Sequence, residues 1–174
     1  EMCIRDSPYI KLESKDFFSE KPLKVTPLAK LICLISDQGL SRLRFSKSQV
    51  QRCKNLRAWA QKITHIGLDN LSEDERFQLH IDLEEDLPSL FLFMDEKHIN
   101  IWLKRWKDPY DPLFHPSSPL NGYSLQKALK IPPGPSLGEL MRYLSKEKAY
   151  GRFFTNQEAL DAARKWILEN SPFL

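Results

Sequence analysis

The residues of this chain that could do chemistry are mostly charged, and they are unevenly placed. Between Ser41 and Lys62 stand Arg42, Arg44, Lys47, Arg52, Lys54, Arg57 and Lys62, with no acid among them. Cations recurring along one helix can meet successive phosphates, which would give salt-dependent binding to nucleic acid. Immediately afterwards, Asp69, Glu73, Asp74, Glu75, Asp82, Glu84, Glu85 and Asp86 face a single Arg76. The formal net charge of +3 therefore conceals a divided distribution. The same two runs also read as solvated helix faces that pair with each other, and charge alone leaves both readings open.

A second feature is the string KIPPGPSLGEL at Lys130–Leu140. Gly134 and Pro135 lead into a helix start whose backbone N–H groups would point outward and could hold a phosphate oxygen. Gly138, one turn in, would permit close backbone approach. The alternative is a packing corner in which Gly138 lets two helices touch. Other candidates are weaker. His80, Asp82 and the Glu84–Asp86 run match no ordinary zinc spacing, and Cys33 and Cys53 form no CxxC pair. His65, His98 and His115 are dispersed and form no triad pattern. Trp102 and Trp106, four residues apart, read as core or as a base-stacking platform.

These groups must be carried by helices. Thr26 as N-cap with Pro27 at N1 predicts an apolar helix through Leu28, Leu31, Ile32, Leu34 and Ile35, ending at Gly39. Being apolar nearly all round, it is expected to lie centrally. Ser46 predicts the start of a helix with Val50, Cys53, Leu56, Trp59, Ala60 and Ile63 at helical spacing. Ser72 with Glu75, and Thr155 with Glu158, are capping boxes. The first opens a short acidic helix, the second a final helix through Ala159, Ala162, Ala163, Trp166 and Ile167. Pro88 starts an apolar stretch, and Asp95 is placed to cap a helix carrying Ile99, Trp102, Leu103 and Trp106. A short helix is expected over Ser124–Leu129. A longer one is expected over Pro135–Lys148, with Leu137, Leu140, Met141 and Leu144 as its stripe and Gly151 beyond its end. No segment alternates at period two, so the expected fold is all-α.

Seven of the twelve prolines fall between Pro109 and Pro135. Proline lacks an N–H and clashes with the preceding turn, so Asp108–Pro119 cannot be helix interior. The expected organisation is a helical bundle, or body, over 26–107, a Pro-rich connection over 108–121 and a smaller helical tail over 122–174. Residues 8–25 read as a linker or the end of a broken helix. Residues 1–7, EMCIRDS, back-translate to GAG ATG TGT ATA AGA GAC AG, which looks like a transposase-end sequencing adapter. They are set aside with Cys3, and the natural product is expected to have begun further upstream.

At 174 residues, with 41% hydrophobic and 28% charged residues, the chain is globular in composition rather than disordered. Its longest apolar runs, Leu31–Ile35 and Leu90–Met94, are far below the roughly 20 residues a membrane span needs. Three cysteines without paired spacing point to a reducing, cytoplasmic setting. Six glycines without a Gly-rich run exclude the usual phosphate-cradling loops.

The string Leu120–Ile167 resembles the C-terminal end of bacterial tRNA nucleotidyltransferases, the CCA-adding and poly(A) polymerase enzymes of the class II superfamily. The family pattern there is an "LGL-(K/P)-PGP-x-x-G-x-(L/I)-(L/M)" corner, a "G-x-(I/F)" step and a helix opening "T-x-x-E-A-L". This chain supplies Gly122, Leu129, Pro133, Gly134, Pro135, Gly138, Glu139, Leu140, Gly151, Phe153, Thr155, Glu158, Ala159 and Leu160. Upstream, Leu43–Ser46 with the basic helix is similar to the family's "LRLS" body helix, and LPSLFLF sits where the family has an apolar helix. The resemblance implies a part that grips tRNA. It further implies that Mg²⁺ and CTP or ATP belong to a catalytic head, with no cofactor in this chain. The head's glycine-rich loop, paired aspartates and base-reading neck have no counterpart here: no Gly-Gly, Asp-x-Asp or Glu-Asp-x-x-Arg occurs. Two-metal nucleotidyl transfer needs those carboxylates, so this chain alone is expected to be inactive.

Three functions compete. The first is tRNA binding by a body and tail, holding the acceptor and T arms by phosphate and shape. The second is a helical protein-interaction module without an RNA role. The third is a metal-dependent hydrolase built on His80 and Asp82.

Overall fold

A computed structural model describes residues 25–170, and every regular element in that range is a helix. The expected adapter remnant over 1–7 and all but the last residue of the linker over 8–25 lie outside the described residues. The chain divides into two compact units between Lys107 and Asp108, at the start of the proline-rich stretch.

The first unit is built around α3 (Lys47–Ile66), a helix of 20 residues. Ser46 starts it: its hydroxyl accepts the Gln49 N–H at 3.2 Å, while the Gln49 side chain accepts the Ser46 N–H at 3.0 Å. Two of the four orphan donors of the helix start are thereby satisfied. Val50, Cys53, Leu56, Trp59, Ala60 and Ile63 are all buried along one face. Each fully buried large apolar side chain of this kind contributes roughly 1.5–3 kcal/mol. Against α3 pack α1 (Val25–Leu34), α2 (Asp37–Arg42), α4 (Glu73–Leu83) and α5 (Leu87–Leu90). Ser72 and Glu75 form the capping box of α4 as their spacing predicts. Leu87–Leu90 and the 3-10 turn Phe91–Phe93 carry the apolar stretch, in which Leu87, Leu90 and Phe91 are almost wholly buried. Helix α6 (Glu96–Lys107) follows Asp95 and buries Ile99.

The N-terminal helix differs from its sequence reading. Val25 already belongs to α1, so Thr26 and Pro27 lie in the first turn rather than at N-cap and N1. The helix also ends at Leu34, not Gly39. Ser36 opens α2 by accepting the Gly39 N–H at 3.2 Å, and Gly39 falls inside that second helix. Nor is α1 central. Ala29 and Ile32 are buried, but Leu34 is 67% exposed, so only one face packs.

The second unit joins the irregular stretch 108–121 to α7 (Gly122–Leu129), α8 (Pro135–Ala149) and α9 (Asn156–Asn170), which pack pairwise on one another. Helix α7 starts two residues earlier than expected, because Asn121 caps it by accepting the Ser124 N–H at 2.8 Å. Leu125, Leu137, Leu140, Leu144, Phe153, Ala159 and Ala163 form the core of this unit. Gly122 lies beside this core at ordinary contact distance, since a Cβ there would lie 3.4 Å from Leu137 and 3.5 Å from Met141. Glu158 and Thr155 close the second capping box, with the Glu158 carboxylate accepting the N–H groups of Phe154 and Thr155. Those bonds, the Phe154 one foremost, hold its carboxyl below the usual range.

Candidate nucleic-acid interface

The seven cations of Ser41–Lys62 do not behave as one face. Arg52 presents its guanidinium fork to Asp86, with Nε–Oδ2 at 2.6 Å and Nη2–Oδ1 at 2.5 Å. Asp86 comes from the 3-10 turn Glu84–Asp86, and its side chain is 11% exposed. Arg57 bridges three groups at the α1–α2 junction. It pairs with Asp37 and donates to the carbonyls of Ile32 and Ile35 at 3.1 and 2.6 Å. Those carbonyls are acceptors that the end of α1 leaves open, so Arg57 acts as a C-terminal cap delivered from another helix. Lys62 reaches Glu75 at 2.8 Å and lies 5.1 Å from the Trp59 ring centroid. The hydrogen bond from Lys62, then those from Ser72, pull the Glu75 carboxyl down to about 2.

The other four cations, Arg42, Arg44, Lys47 and Lys54, are exposed and make no ion pair among the described residues. Arg42 ends α2, Arg44 takes a left-handed turn conformation (φ 59°), and Lys47 opens α3. Lys54, two turns further on, returns to the same stripe of α3 as Lys47. The first turn of α3 contains no acid. A helix N-terminus carries about half a positive charge, so Lys47 raises the local potential at a cost of roughly 0.3–1 kcal/mol. Arg42, in the last turn of α2, is favoured by that helix's dipole, and Lys54 lies beyond the first turn of α3, where the effect has faded. By contrast, α4 opens with Glu73, Asp74 and Glu75, the arrangement the helix dipole favours. The α2–α3 corner thus gathers Arg42, Arg44 and Lys47, of which Lys47 stands against the dipole of the helix that carries it.

The Gly134 corner is simpler than its sequence implies. Pro135 has no N–H, and the Leu137 N–H is bonded to the Gly134 carbonyl at 3.1 Å. Of the first four helical positions, that leaves the N–H groups of Ser136 and Gly138 for an outside acceptor. Gly134 adopts extended backbone (φ 167°) that any residue tolerates. A Cβ built on Gly134 or on Gly138 would meet nothing within 4 Å. The alternative in which Gly138 lets two helices touch is therefore not what this unit contains: the space over both glycines is open.

The remaining candidates are absorbed into the structure. His80 is 1% exposed and stacks on Trp102 with ring centroids 5.2 Å apart. Asp82 accepts from Trp59 Nε1 at 2.9 Å and from Gln78 Nε2 at 2.5 Å. Neither is presented to a metal, and among the described residues no group of three or more His, Cys, Asp or Glu could hold one. The contact with buried His80 also places Trp102 against the interior rather than on an open platform. Burial raises the thiols of Cys33 and Cys53 above their ordinary range, as expected of packed rather than reactive cysteines. A groove of about 330 Å³ runs beside Pro27, Leu28, Leu31, Phe45, Gln49, Arg52 and Cys53. Its one charged lining residue, Arg52, is already held by Asp86. No helix among the described residues is long and apolar enough to cross a membrane.

Sequence reasoning missed the sorting of the cations into those with and those without an ion pair among the described residues. Arg52 and Asp86 are 34 residues apart, and Arg57 and Asp37 are 20 apart, beyond the reach of any helical periodicity. Comparison of the chain with known protein families, with curated proteins and with solved structures finds no match.

Proposed function

We propose that this chain is a tRNA-binding body and tail, cytoplasmic in setting, that holds the acceptor and T arms by phosphate contact and shape. The observation that carries the reading is the exposed set Arg42, Arg44, Lys47 and Lys54 around the α2–α3 corner, which makes no ion pair among the described residues and whose Lys47 stands in the first turn of α3, where the helix dipole disfavours a cation. Two further points support it. The open backbone over Gly134 and Gly138 leaves room for a close neighbour. The string Leu120–Ile167 also resembles the tail of CCA-adding and poly(A)-adding enzymes. Mg²⁺ and CTP or ATP belong, in that resemblance, to a head whose motifs this sequence does not carry, and no step through them is assigned to these residues.

The test is binding of a tRNA transcript lacking its CCA end to the full chain and to R42Q/R44Q/K47Q/K54Q. Gln retains helix propensity. A large loss of affinity with unchanged helicity supports the reading, and equal affinity removes it. A second reading, a helical protein-interaction module, is favoured by the internal pairs Arg52–Asp86, Arg57–Asp37 and Lys62–Glu75. It requires tRNA affinity to be negligible or independent of salt.

A further inference from the structure

Helix α6 lies outside every feature assigned so far, and its exposed face is cationic. His98 Nε2 lies 3.2 Å from Asp69 Oδ1, and Trp102 stacks on His80, so α6 is held against α4 and the segment just after α3. Ile99 is buried and Trp102, Leu103 and Trp106 are half-buried, which fixes the inward side. Lys97 and Lys104, seven residues apart, fall on one line along the opposite side. Both are exposed and make no ion pair among the described residues, as does Lys107 on the flank. Between them Ile101 is 60% exposed. Lys104 and Lys107 suit the C-terminal end of the helix dipole, but Lys97 stands in the first turn, where that dipole opposes it.

The position of this face matters as much as its charge. The Asp69–His98 contact puts the start of α6 at the C-terminal end of α3, whereas Lys47 and its neighbours stand at the N-terminal end. Helix α3 has 20 residues, and at 1.5 Å per residue the two ends are about 30 Å apart. Lys54 stands about 10 Å along α3, and Trp102, stacked on His80, brings the later part of α6 back from the far end of α3. The full span separates Lys47 from the Lys97 end of α6, and a single phosphate group cannot meet both. An extended polyanion can: a double-stranded nucleic acid carries one charge per roughly 1.7 Å of its axis.

We infer that the Lys97–Lys104 face of α6 is a second, separate contact surface for the RNA held at the α2–α3 corner, so that the first unit grips one duplex arm at two points. This rests on the tRNA-binding reading and extends it to residues nothing else assigns. Ile101, at the centre of the face, supplies apolar surface to the wide, shallow minor groove of A-form RNA, where side chains approach the sugars.

The experiment compares K97Q/K104Q with R42Q/R44Q/K47Q/K54Q and with the unaltered chain, each binding the same tRNA transcript across a salt series. Each lost phosphate contact flattens the log–log slope by about 0.9 and, at 0.1 M salt, costs up to about eightfold in affinity. K97Q/K104Q should therefore flatten the slope by about 1.8 and weaken binding by up to about 60-fold, with unchanged circular dichroism. If only the α2–α3 set moves the slope, the second contact is overturned and the tRNA reading stands. If neither set moves it, both fall. Replacing Ile101 by Ser separately should weaken binding without changing the slope, and an affinity equal to that of the unaltered chain would remove its apolar role.

Discussion

Replacing Arg52 by Gln separates the structural cations from those offered to a ligand. The substitution leaves the Asp86 carboxylate, 11% exposed, without its two charged donors, whereas Arg52 itself is 53% exposed. Removing one partner of a fully buried pair costs about 3–5 kcal/mol. Water already screens the Arg52 side, which brings the expected loss to about 2 kcal/mol. For a chain of this length that lowers the thermal midpoint by roughly 4–8 °C. Urea unfolding should show the midpoint falling with an unchanged m-value. Asp86→Asn should cost less, since it removes the charge that needed compensation. The cycle through the double variant should give a coupling of about 1–2 kcal/mol, as expected for residues in direct contact. The same R52Q variant should bind tRNA with the salt slope of the unaltered chain, because its charge is already spent on Asp86. A stability change below about 0.5 kcal/mol would refute the structural role, being no more than an ordinary surface substitution produces. A slope flattened by about 0.9 would show that Arg52 leaves Asp86 for a phosphate.

Glu75 has a folded pKa of about 2, below its ordinary 4.5, so its contribution to stability is full above pH 4.5 and is lost as pH falls toward 2. The stability gap between the unaltered chain and E75Q, followed by thermal unfolding, should narrow across that window, and a constant gap would contradict the Lys62 and Ser72 bonds. Gly138→Ala should stabilise the chain by about 0.5–1 kcal/mol, because the added methyl meets nothing and helical glycine is costly; it should also weaken tRNA binding if RNA approaches that backbone. A destabilised G138A would show the space to be filled. Leu140→Ala, at a position with no exposure in the core of the second unit, should cost about 2–5 kcal/mol in urea unfolding, and a smaller loss would mean that the site collapses around the truncation. With Mg²⁺ and labelled CTP or ATP, the 174-residue chain should add nothing to a tRNA lacking CCA, and incorporation would overturn the assignment of chemistry to a separate head.

The features legible along the chain are those decided by neighbours in sequence. Ser46, Ser72 and Thr155 act within three residues of themselves, so local spacing alone reveals their caps. The buried stripe of α3 follows from the 3.6-residue period. The break between α1 and α2 is hidden because apolar residues run on to Ile35, and Gly39 looks like a stop signal. The deciding contact is the Ser36 hydroxyl on the Gly39 N–H, reinforced by Arg57 at the carbonyls of Ile32 and Ile35. The candidate interface is legible as a charge run but not as a surface. Which of the seven cations are held in ion pairs depends on Asp37, Glu75 and Asp86, which only the folded chain brings into place.

The central claim is that Arg42, Arg44, Lys47 and Lys54, with the α6 face beyond them, present charge to RNA phosphates. The slope of log affinity against log salt for the unaltered chain and a tRNA lacking CCA tests this most directly. Four contacts give about −3.6, and the two from α6 bring it to about −5.4. A measured slope in that range, falling toward zero when these cations are replaced by Gln, is the expected result. A slope near zero, or no binding at low salt, would contradict the account and return the exposed cations to a solvated helix surface.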